Sequence, residues 1–149
     1  MEDVLDKIDE IVEGNGSRDE KLQKICALLH DSIPRYNWVG FYMVNDDKRE
    51  LVLGPFVGEP TEHVRIEFGR GICGQAALTH KTFLVPDVSK ESNYLSCSPN
   101  VKSEIVVPIM KDGRMLAQLD IDSHQVNAFT DDDETFLQKV CEKIASLFD

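Results

Sequence analysis

The sequence predicts a single α+β domain, in which helices from both chain ends pack on one face of an antiparallel sheet and a ligand pocket lies on the other. Apolar residues recur at helical spacing near both termini, over residues 3–12, 17–33 and 130–147. Between them lie short runs rich in β-branched and aromatic residues, separated by turn residues, as is typical of strands. The 149 residues suffice for one domain with a substantial core, and the sequence contains no repeat or low-complexity tract.

Capping residues mark where the terminal helices begin. The first helix is predicted over residues 3–12. Ser17 and Glu20 have the spacing of a capping box, in which each side chain accepts a hydrogen bond from the other residue's backbone amide. Thr130 caps the last helix, whose first turn is acidic, as the helix dipole favours.

Six strands are predicted between these helices, together with a short helix and a long loop. The short helix covers residues 75–80 and follows the glycine-rich stretch 69–74, which matches neither a P-loop nor a dinucleotide-binding fingerprint. The loop covers residues 89–100, a length that indicates function. The strands cover residues 36–44, 50–57 (interrupted at Gly54-Pro55), 61–68, 82–88, 104–110 and 115–122.

The last two strands form a hairpin whose register decides which side chains share a face. A two-residue loop at Asp112-Gly113 places Ile105 opposite Asp120. A three-residue loop that also includes Lys111, with Gly113 in the left-handed conformation, places Glu104 opposite Asp120. We predict the three-residue loop, because it alone separates apolar from polar side chains. The predicted apolar face consists of Ile105, Val107, Ile109, Ala117, Leu119 and Ile121, and the predicted polar face of Glu104, Gln118, Asp120 and Asp122.

Three carboxylates on one sheet face need an explanation, because like charges opposed across strands repel each other. One interpretation is a solvated face. The other, which we favour, is a ligand site, because Trp38 and Tyr42 are four residues apart on one strand and can cover the carboxylates. The alternative interpretation of the two aromatic residues is that they are part of the hydrophobic core and line no site. In a site, Glu104, Asp120 and Asp122 would suit a ligand with an ammonium group, and one of them would retain a proton for acid catalysis.

Charge and hydropathy exclude several classes of partner. The formal net charge of −11 disfavours binding to nucleic acid or anionic membranes, which attract Lys and Arg. No apolar run approaches the roughly 20 residues of a membrane span, and the acidic N-terminus is unlike a signal peptide. We therefore expect a cytoplasmic protein, where structural disulfides are not expected.

The four cysteines differ in their surroundings. Cys26 and Cys141 fall in the apolar stripes of helices, which indicates core packing. Cys73 lies near the start of the short helix, where the helix dipole would favour its thiolate. Cys97 lies in the loop 89–100, where a cysteine adds little to packing, so we predict that it is reactive. No two cysteines have C-x-x-C spacing, and no metal site is predicted.

Six motifs, in order along the chain, carry a family resemblance. They are N-W-V-G-F-Y (37–42), L-V-L-G-P-F (51–56), F-G-R-G-I-C-G (68–74), V-P-D-V (85–88), S-E-I-V-V-P (103–108) and L-D-I-D-S (119–123). Together they resemble the free methionine-(R)-sulfoxide reductases, which are stand-alone GAF-domain oxidoreductases. The resemblance implies one GAF domain over residues 1–149, with a central antiparallel sheet of about six strands, and a homodimer. It also implies reduction of free L-methionine-(R)-sulfoxide to L-methionine, a defence against oxidative stress.

The resemblance also implies roles for individual residues. Cys97 matches the nucleophilic cysteine, which is left as a sulfenic acid when methionine departs. A second thiol then forms a disulfide with it, and a thioredoxin-like donor, rather than a bound cofactor, reduces that disulfide. The remaining matches are Trp38 and Tyr42, which enclose the methyl sulfoxide end of the substrate, and Glu104, Asp120 and Asp122, which bind the ammonium group and polarise the sulfoxide.

Two positions depart from the family pattern. His63 stands where the family usually has its resolving cysteine, and Ser98 stands where an aspartate commonly follows the nucleophile. Cys73, which matches another motif cysteine, becomes the candidate resolver; the alternative is direct attack of the external reductant on the sulfenic acid of Cys97. The alternative function is a GAF module that binds a small ligand without catalysis.

Overall fold

The computed structural model describes residues 1–95 and 98–148, and within them it confirms the predicted α+β class. The helices are α1 (Glu2–Glu13), α2 (Arg18–Ser32), α3 (Gly71–Thr79) and α4 (Asp131–Ile144), with 3-10 turns at Val88–Lys90 and Ala145–Leu147. The strands are β1 (Trp38–Asn45), β2 (Glu50–Val57), β3 (Arg65–Glu67), β4 (Phe83–Val85), β5 (Ser103–Lys111) and β6 (Arg114–Ser123). They form one antiparallel sheet in the order β3-β2-β1-β6-β5-β4.

Helices α1, α2 and α4 pack on one face of the sheet and enclose the main core, as predicted. Ser17 forms the predicted capping box, and Thr130 caps α4. Cys26 and Cys141 lie in this core, in agreement with their positions in the apolar stripes. Helix α3 and the long loop cover the opposite face, where a second and smaller apolar cluster surrounds the polar residues of the sheet. Among the described residues, no helix is both long and apolar enough to cross a membrane.

The hairpin between β5 and β6 turns through two residues rather than the predicted three. Asp112 and Gly113 both have positive φ (53° and 79°), as in a type I′ turn, and Lys111 pairs with Arg114. Aspartate tolerates the left-handed conformation, which the prediction assigned to the glycine alone. A bulge at Leu116 then adds one residue to β6.

The predicted register of this hairpin was therefore wrong by two residues, although the predicted faces are correct. Glu104 pairs with Asp122 rather than with Asp120, and Asp120 pairs with Val106. Since side chains alternate with a period of two, a shift of two residues leaves each side chain on its original face. The sheet thus has an apolar face toward the helices and a face that carries the carboxylates.

Several element boundaries also differ from prediction. Strands β3 and β4 are each three residues long, whereas the strands predicted there cover residues 61–68 and 82–88. The strand over 50–57 continues through Gly54-Pro55, because a bulge against β1 absorbs the irregularity. Helix α3 begins at Gly71 rather than at residue 75, so that Cys73 lies in its first turn.

Candidate active site

The three central strands bring the predicted site residues together on the face opposite the main core. Trp38 of β1 pairs with Asp122 of β6. Four residues further along β1, on the same face, Tyr42 pairs with Gln118. Directly paired residues of an antiparallel sheet point to the same side. The aromatic residues of β1 therefore share a face with the carboxylates of β5 and β6, as the sequence predicted.

The carboxylates are buried rather than solvated. Glu104 is 5% exposed, and Asp120 and Asp122 are each 1% exposed. Glu104 lies within hydrogen-bonding range of both aspartates. A solvated acidic face is thereby excluded, and the three side chains form one cluster in a low-dielectric environment.

Burial changes the protonation of the two aspartates. It raises the pKa of Asp122 well above its usual range, and the nearby charge of Asp120 raises it further, although the hydrogen bond between Asp122 and Glu104 opposes the change. Burial also raises the pKa of Asp120, although its hydrogen bonds with Glu104 and Cys73 oppose the change. Asp122 is therefore the carboxyl of this pair best suited to hold a proton at neutral pH.

Polar atoms without partners also lie on this face. Within the described part of the chain, the Oδ1 atoms of Asp120 and Asp122 and the Oε1 atom of Gln118 are buried without a hydrogen-bond partner. The amide of Gln118 is held in place because its Nε2 donates to the carbonyl of Cys73 over 3.2 Å. Since an unpaired buried oxygen is costly, three such atoms on one face of the sheet indicate a site that a ligand completes.

Four neighbouring residues hold the indole ring of Trp38 in position. The ring stacks on Phe56, with centroids 5.4 Å apart and an interplanar angle of 17°. Its Nε1 donates to the carbonyl oxygen of Glu59 over 2.9 Å. Gly40 and Gly58 lie against the ring, and a Cβ at either position would come within 2.6 Å of it. The position of the ring in the cavity that it lines together with Asp122 is therefore set by the residues that the ring contacts.

The second aromatic residue, Tyr42, is hydrogen-bonded to His63, the residue that departs from the family pattern. Tyr42 is buried, and its hydroxyl donates to the backbone carbonyl of His63 over 2.9 Å. His63 lines the same cavity as Tyr42, Cys73 and Glu104. The position expected to hold a resolving cysteine is thus at the site, and it is occupied by a histidine.

Cys73 lies beneath the carboxylates, in the first turn of α3. It is 5% exposed, and its Sγ is 4.0 Å from Oε2 of Glu104, which accepts a hydrogen bond from the thiol. Burial raises the pKa of the thiol well above 9.0, and the charges of Asp120, Glu104 and Asp122 raise it further. The expectation that the helix dipole would favour the thiolate was therefore wrong, because desolvation and the adjacent carboxylates outweigh the dipole.

Side chains on the long loop hold it against the start of α3. The amide of Asn93 accepts a hydrogen bond from the backbone N–H of Gly71 and donates one to the carbonyl of Gly69, each over 2.8 Å. Gln75 Nε2 donates to the carbonyls of both Gly71 and Asn93. Leu95 packs on Gly71 so closely that a Cβ there would be 2.8 Å from Leu95 Cγ. We call these five residues the loop anchor, and the sequence motifs did not identify Asn93, Gln75 or Leu95.

Two small cavities adjoin the carboxylates. Cys97, the predicted nucleophile, lies outside the described residues; its neighbour in the chain, Ser98, lines the second cavity together with Asp122. Grooves of about 280 and 470 Å³ lie elsewhere on the surface and contain none of the predicted site residues. The first cavity, of about 10 Å³, is lined by Tyr42, His63, Ile66, Arg70, Gly71, Ile72, Cys73, Leu95, Glu104 and Asp120. The second, of about 30 Å³, is lined by Asn37, Trp38, Glu59, Ser98, Val101, Asp122 and His124.

Comparison with known proteins identifies a matching family model and similar proteins in other organisms. The family model for the GAF domain matches residues 16–149. GAF domain-containing protein A of Dictyostelium discoideum is 40% identical over 139 residues, which cover 93% of this chain and 86% of that protein. The free methionine-R-sulfoxide reductase of Escherichia coli is 39% identical over 119 residues, covering 80% of this chain and 70% of the relative.

Solved structures show the same likeness in three dimensions. The structure of free methionine-R-sulfoxide reductase from Neisseria meningitidis in complex with its substrate superposes with a TM-score of 0.94 at 36% identity. It covers 99% of this chain and 87% of the neisserial chain. The likeness thus extends across both layers of the fold.

Proposed function

The chain belongs to the free methionine-(R)-sulfoxide reductase family of GAF-domain proteins, and we propose that it reduces free L-methionine-(R)-sulfoxide to L-methionine. The observation that carries the proposal is the buried carboxylate cluster with two unpartnered aspartate oxygens beside a fixed indole ring. An α-ammonium group satisfies such oxygens by charge and by hydrogen bonding. The methyl group beside the sulfoxide suits the flat apolar surface of Trp38.

The site must enlarge when the substrate binds. The two cavities, of about 10 and 30 Å³, are each smaller than methionine sulfoxide. Both adjoin the carboxylates, one on the side of Cys73 and the other on the side of Trp38. A free amino acid that spans them contacts Asp120 on one side and Asp122 on the other. A methionine sulfoxide within a polypeptide has no α-ammonium to offer these oxygens, which accounts for selection of the free amino acid.

The first chemical step breaks the S–O bond. A sulfoxide sulfur becomes electrophilic when its oxygen is protonated, and the raised pKa of Asp122, caused chiefly by burial, keeps its carboxyl able to supply that proton. The thiol of Cys97 attacks the sulfur as its own proton passes to a carboxylate. The oxygen takes up a second proton from that carboxyl and leaves as water, so that an S–S bond joins Cys97 to the substrate sulfur. Water then attacks the Cys97 sulfur, methionine leaves with both electrons of the S–S bond, and Cys97 is left as a sulfenic acid.

The second step resolves the sulfenic acid. Cys73 is the candidate resolving thiol, and its burial among carboxylates keeps it protonated between turnovers. Glu104 Oε2, which accepts the thiol hydrogen bond, is placed to take the proton as Cys73 attacks. A disulfide between Cys73 and Cys97 forms and water leaves. A thioredoxin-like dithiol then reduces the disulfide, so electrons come from thiols and no bound cofactor is required.

The proposed activity is tested with an NADPH-linked assay that contains thioredoxin, thioredoxin reductase and racemic free methionine sulfoxide. We expect NADPH consumption that stops when half of the racemate is used and that disappears in Cys97→Ser. Cys141→Ser, in the core on the other face of the sheet, is the matched control and should remain active. Saturable binding of methionine sulfoxide without NADPH consumption would instead identify a ligand-binding GAF module.

A further inference from the structure

The base of the active site contains a set of metal-ligating atoms that no sequence spacing reveals. The Sγ of Cys73 and carboxylate oxygens of Glu104 and Asp120 all lie within 4.8 Å of one another. The three residues come from α3, β5 and β6, so they are far apart in the chain and form no C-x-x-C or comparable motif. Sequence patterns therefore predicted no metal site, whereas the fold assembles one thiol and two carboxylates around a single point.

Two further observations indicate that a ligand belongs at this point. Asp120 Oδ1 is buried and without a hydrogen-bond partner, on a side chain that is 1% exposed. The cavity lined by these three residues measures about 10 Å³. A space of that size holds one water molecule or one ion, and is far smaller than the substrate.

The chemistry of the donors selects the kind of ion. A thiolate combined with carboxylates suits Zn²⁺, whereas Mg²⁺ and Ca²⁺ prefer an all-oxygen shell. Zinc ligands at bond lengths of about 2.0–2.3 Å lie roughly 3.5 Å apart in a tetrahedron, so side-chain shifts of about 1 Å bring the three atoms into range.

We propose that the reduced protein binds one Zn²⁺ through Cys73, Glu104 and Asp120, and that this ion and the amino-acid substrate exclude each other. Binding replaces the thiol proton of Cys73, which is released to solvent as the Zn–S bond forms. The ion occupies the oxygens proposed to bind the substrate and blocks the thiol proposed to resolve the sulfenic acid. The exclusion of substrate rests on the proposed function, but the binding of metal does not.

Equilibrium dialysis of the reduced protein against Zn²⁺, with metal analysis of the protein compartment, tests the binding. We expect one Zn²⁺ per chain. Removal of a ligand should weaken the affinity on the order of 100-fold in Cys73→Ser, since even residues behind a ligand commonly contribute 10–100-fold. Cys141→Ser, a buried cysteine that is remote from the cluster, should bind Zn²⁺ like the wild type.

A second experiment uses the wild-type protein with Co²⁺ as the probe, so its result does not depend on whether a variant folds. Co²⁺ added to the wild-type protein should give a thiolate-to-metal charge-transfer band, which disappears when Zn²⁺ displaces the Co²⁺. A large excess of Mg²⁺ should change neither signal. No Zn²⁺ binding, binding unaffected by Cys73→Ser, or displacement by Mg²⁺ would each overturn the proposed site.

Competition with an amino acid tests the second half of the proposal. Free methionine, the product of the proposed reaction, should lower the apparent affinity for Zn²⁺ in the same dialysis experiment. If Zn²⁺ binds through Cys73 but methionine has no effect, the mutual exclusion is wrong and the metal site stands. If the protein lacks reductase activity altogether, the zinc measurement is unaffected, so the two proposals fail independently.

Discussion

Replacing Gly40 by alanine should damage substrate binding without altering any residue proposed to carry out chemistry. A Cβ at Gly40 would lie 2.4 Å from Cη2 and 2.6 Å from Cζ3 of Trp38, and 2.9 Å from Cβ of Phe56. Real Cβ contacts do not approach below 3.0 Å, so the indole ring must move away from Gly40. That movement changes the shape of the cavity that the ring lines together with Asp122, and it loosens the hydrogen bond to Glu59.

The size of the effect follows from these contacts. Overpacking a well-packed site costs about 1–3 kcal/mol, and a lost hydrogen bond costs about 0.5–1.5 kcal/mol. If the displaced ring obstructs the substrate, a loss of about 1.4–3 kcal/mol in the free energy of binding the substrate lowers kcat/KM roughly 10- to 150-fold. The loss should appear mainly in KM, because the ring binds the substrate but does not react.

Two measurements separate this effect from general instability. Trp38 is the single tryptophan of the chain, so intrinsic fluorescence reports on this ring alone. We expect a changed emission spectrum in Gly40→Ala, together with the fall in kcat/KM and a loss of about 1–3 kcal/mol in the free energy of unfolding by urea.

Gly54→Ala is the matched control, because its Cβ would meet chiefly the flexible end of Met43, 2.7 Å away, on the neighbouring strand. It should leave both the emission spectrum and KM close to those of the wild type. Gly40→Ala with wild-type fluorescence and wild-type KM would refute the argument that this glycine sets the position of the ring.

Four other substitutions test the remaining parts of the site. Asp122→Asn should slow methionine formation severely yet raise Tm, by about 2–4 °C for each kcal/mol of relieved strain. Because burial raises the pKa of Asp122 in the folded state, the stability that this group contributes is lost as pH rises above the ordinary aspartate range. The gain in Tm should therefore be larger at pH 8 than at pH 5, and an equal gain at both would contradict the raised pKa. Glu104→Gln should lose most activity with an unchanged circular dichroism spectrum, and near-normal turnover would remove its role as a proton acceptor. Cys73→Ser should still release one methionine per chain but lose thioredoxin-dependent turnover; unimpaired turnover would show that Cys73 is not the resolving thiol. Asn93→Ala, which removes two hydrogen bonds of the loop anchor, should slow formation of the disulfide to Cys97 several-fold while the first release of methionine keeps its rate, and a quenched-flow experiment with mass spectrometry distinguishes the two.

The faces of the sheet could be predicted from the sequence because alternate residues of a strand point to opposite faces. The alternation of polar and apolar residues in β5 and β6 places Glu104, Asp120 and Asp122 on one face, and a register error of two residues does not change that face. The register itself was mispredicted, because the turn and the bulge at Leu116 act jointly, and neither is visible in the alternation. The dipeptide Asp112-Gly113, a preferred sequence for a type I′ turn, was the signal that could have identified the two-residue turn, and both residues have positive φ in the structure.

The protonation of the site could not be predicted from sequence, because it depends on burial. Near a helix start, Cys73 has the sequence context of an activated thiolate. Only the folded chain shows that carboxylates from two other elements surround it and that water is excluded, which reverses the direction of its pKa change. The same burial raises the pKa of Asp122 and excludes a solvated acidic face.

The loop anchor was missed for a different reason. Asn93 and Gln75 are common polar residues, and their pattern in the sequence resembles that of any surface loop or helix. Their significance lies in the four hydrogen bonds that they make around Gly69 and Gly71, whose positive φ values of 91° and 67° turn the backbone N–H and C=O groups toward the loop. Glycines at both positions were visible in the sequence, but their partner in the loop was not.

A single-turnover experiment tests most directly whether a thiol and the buried carboxylates act together on a free amino acid. The fully reduced protein is mixed with excess free L-methionine-(R)-sulfoxide in the absence of any other reductant, and methionine and remaining thiols are counted. We predict one methionine per chain and the loss of two thiols, recovered by mass spectrometry as a disulfide between Cys73 and Cys97. Absence of methionine, or an equal yield from Cys97→Ser, would contradict the proposed chemistry.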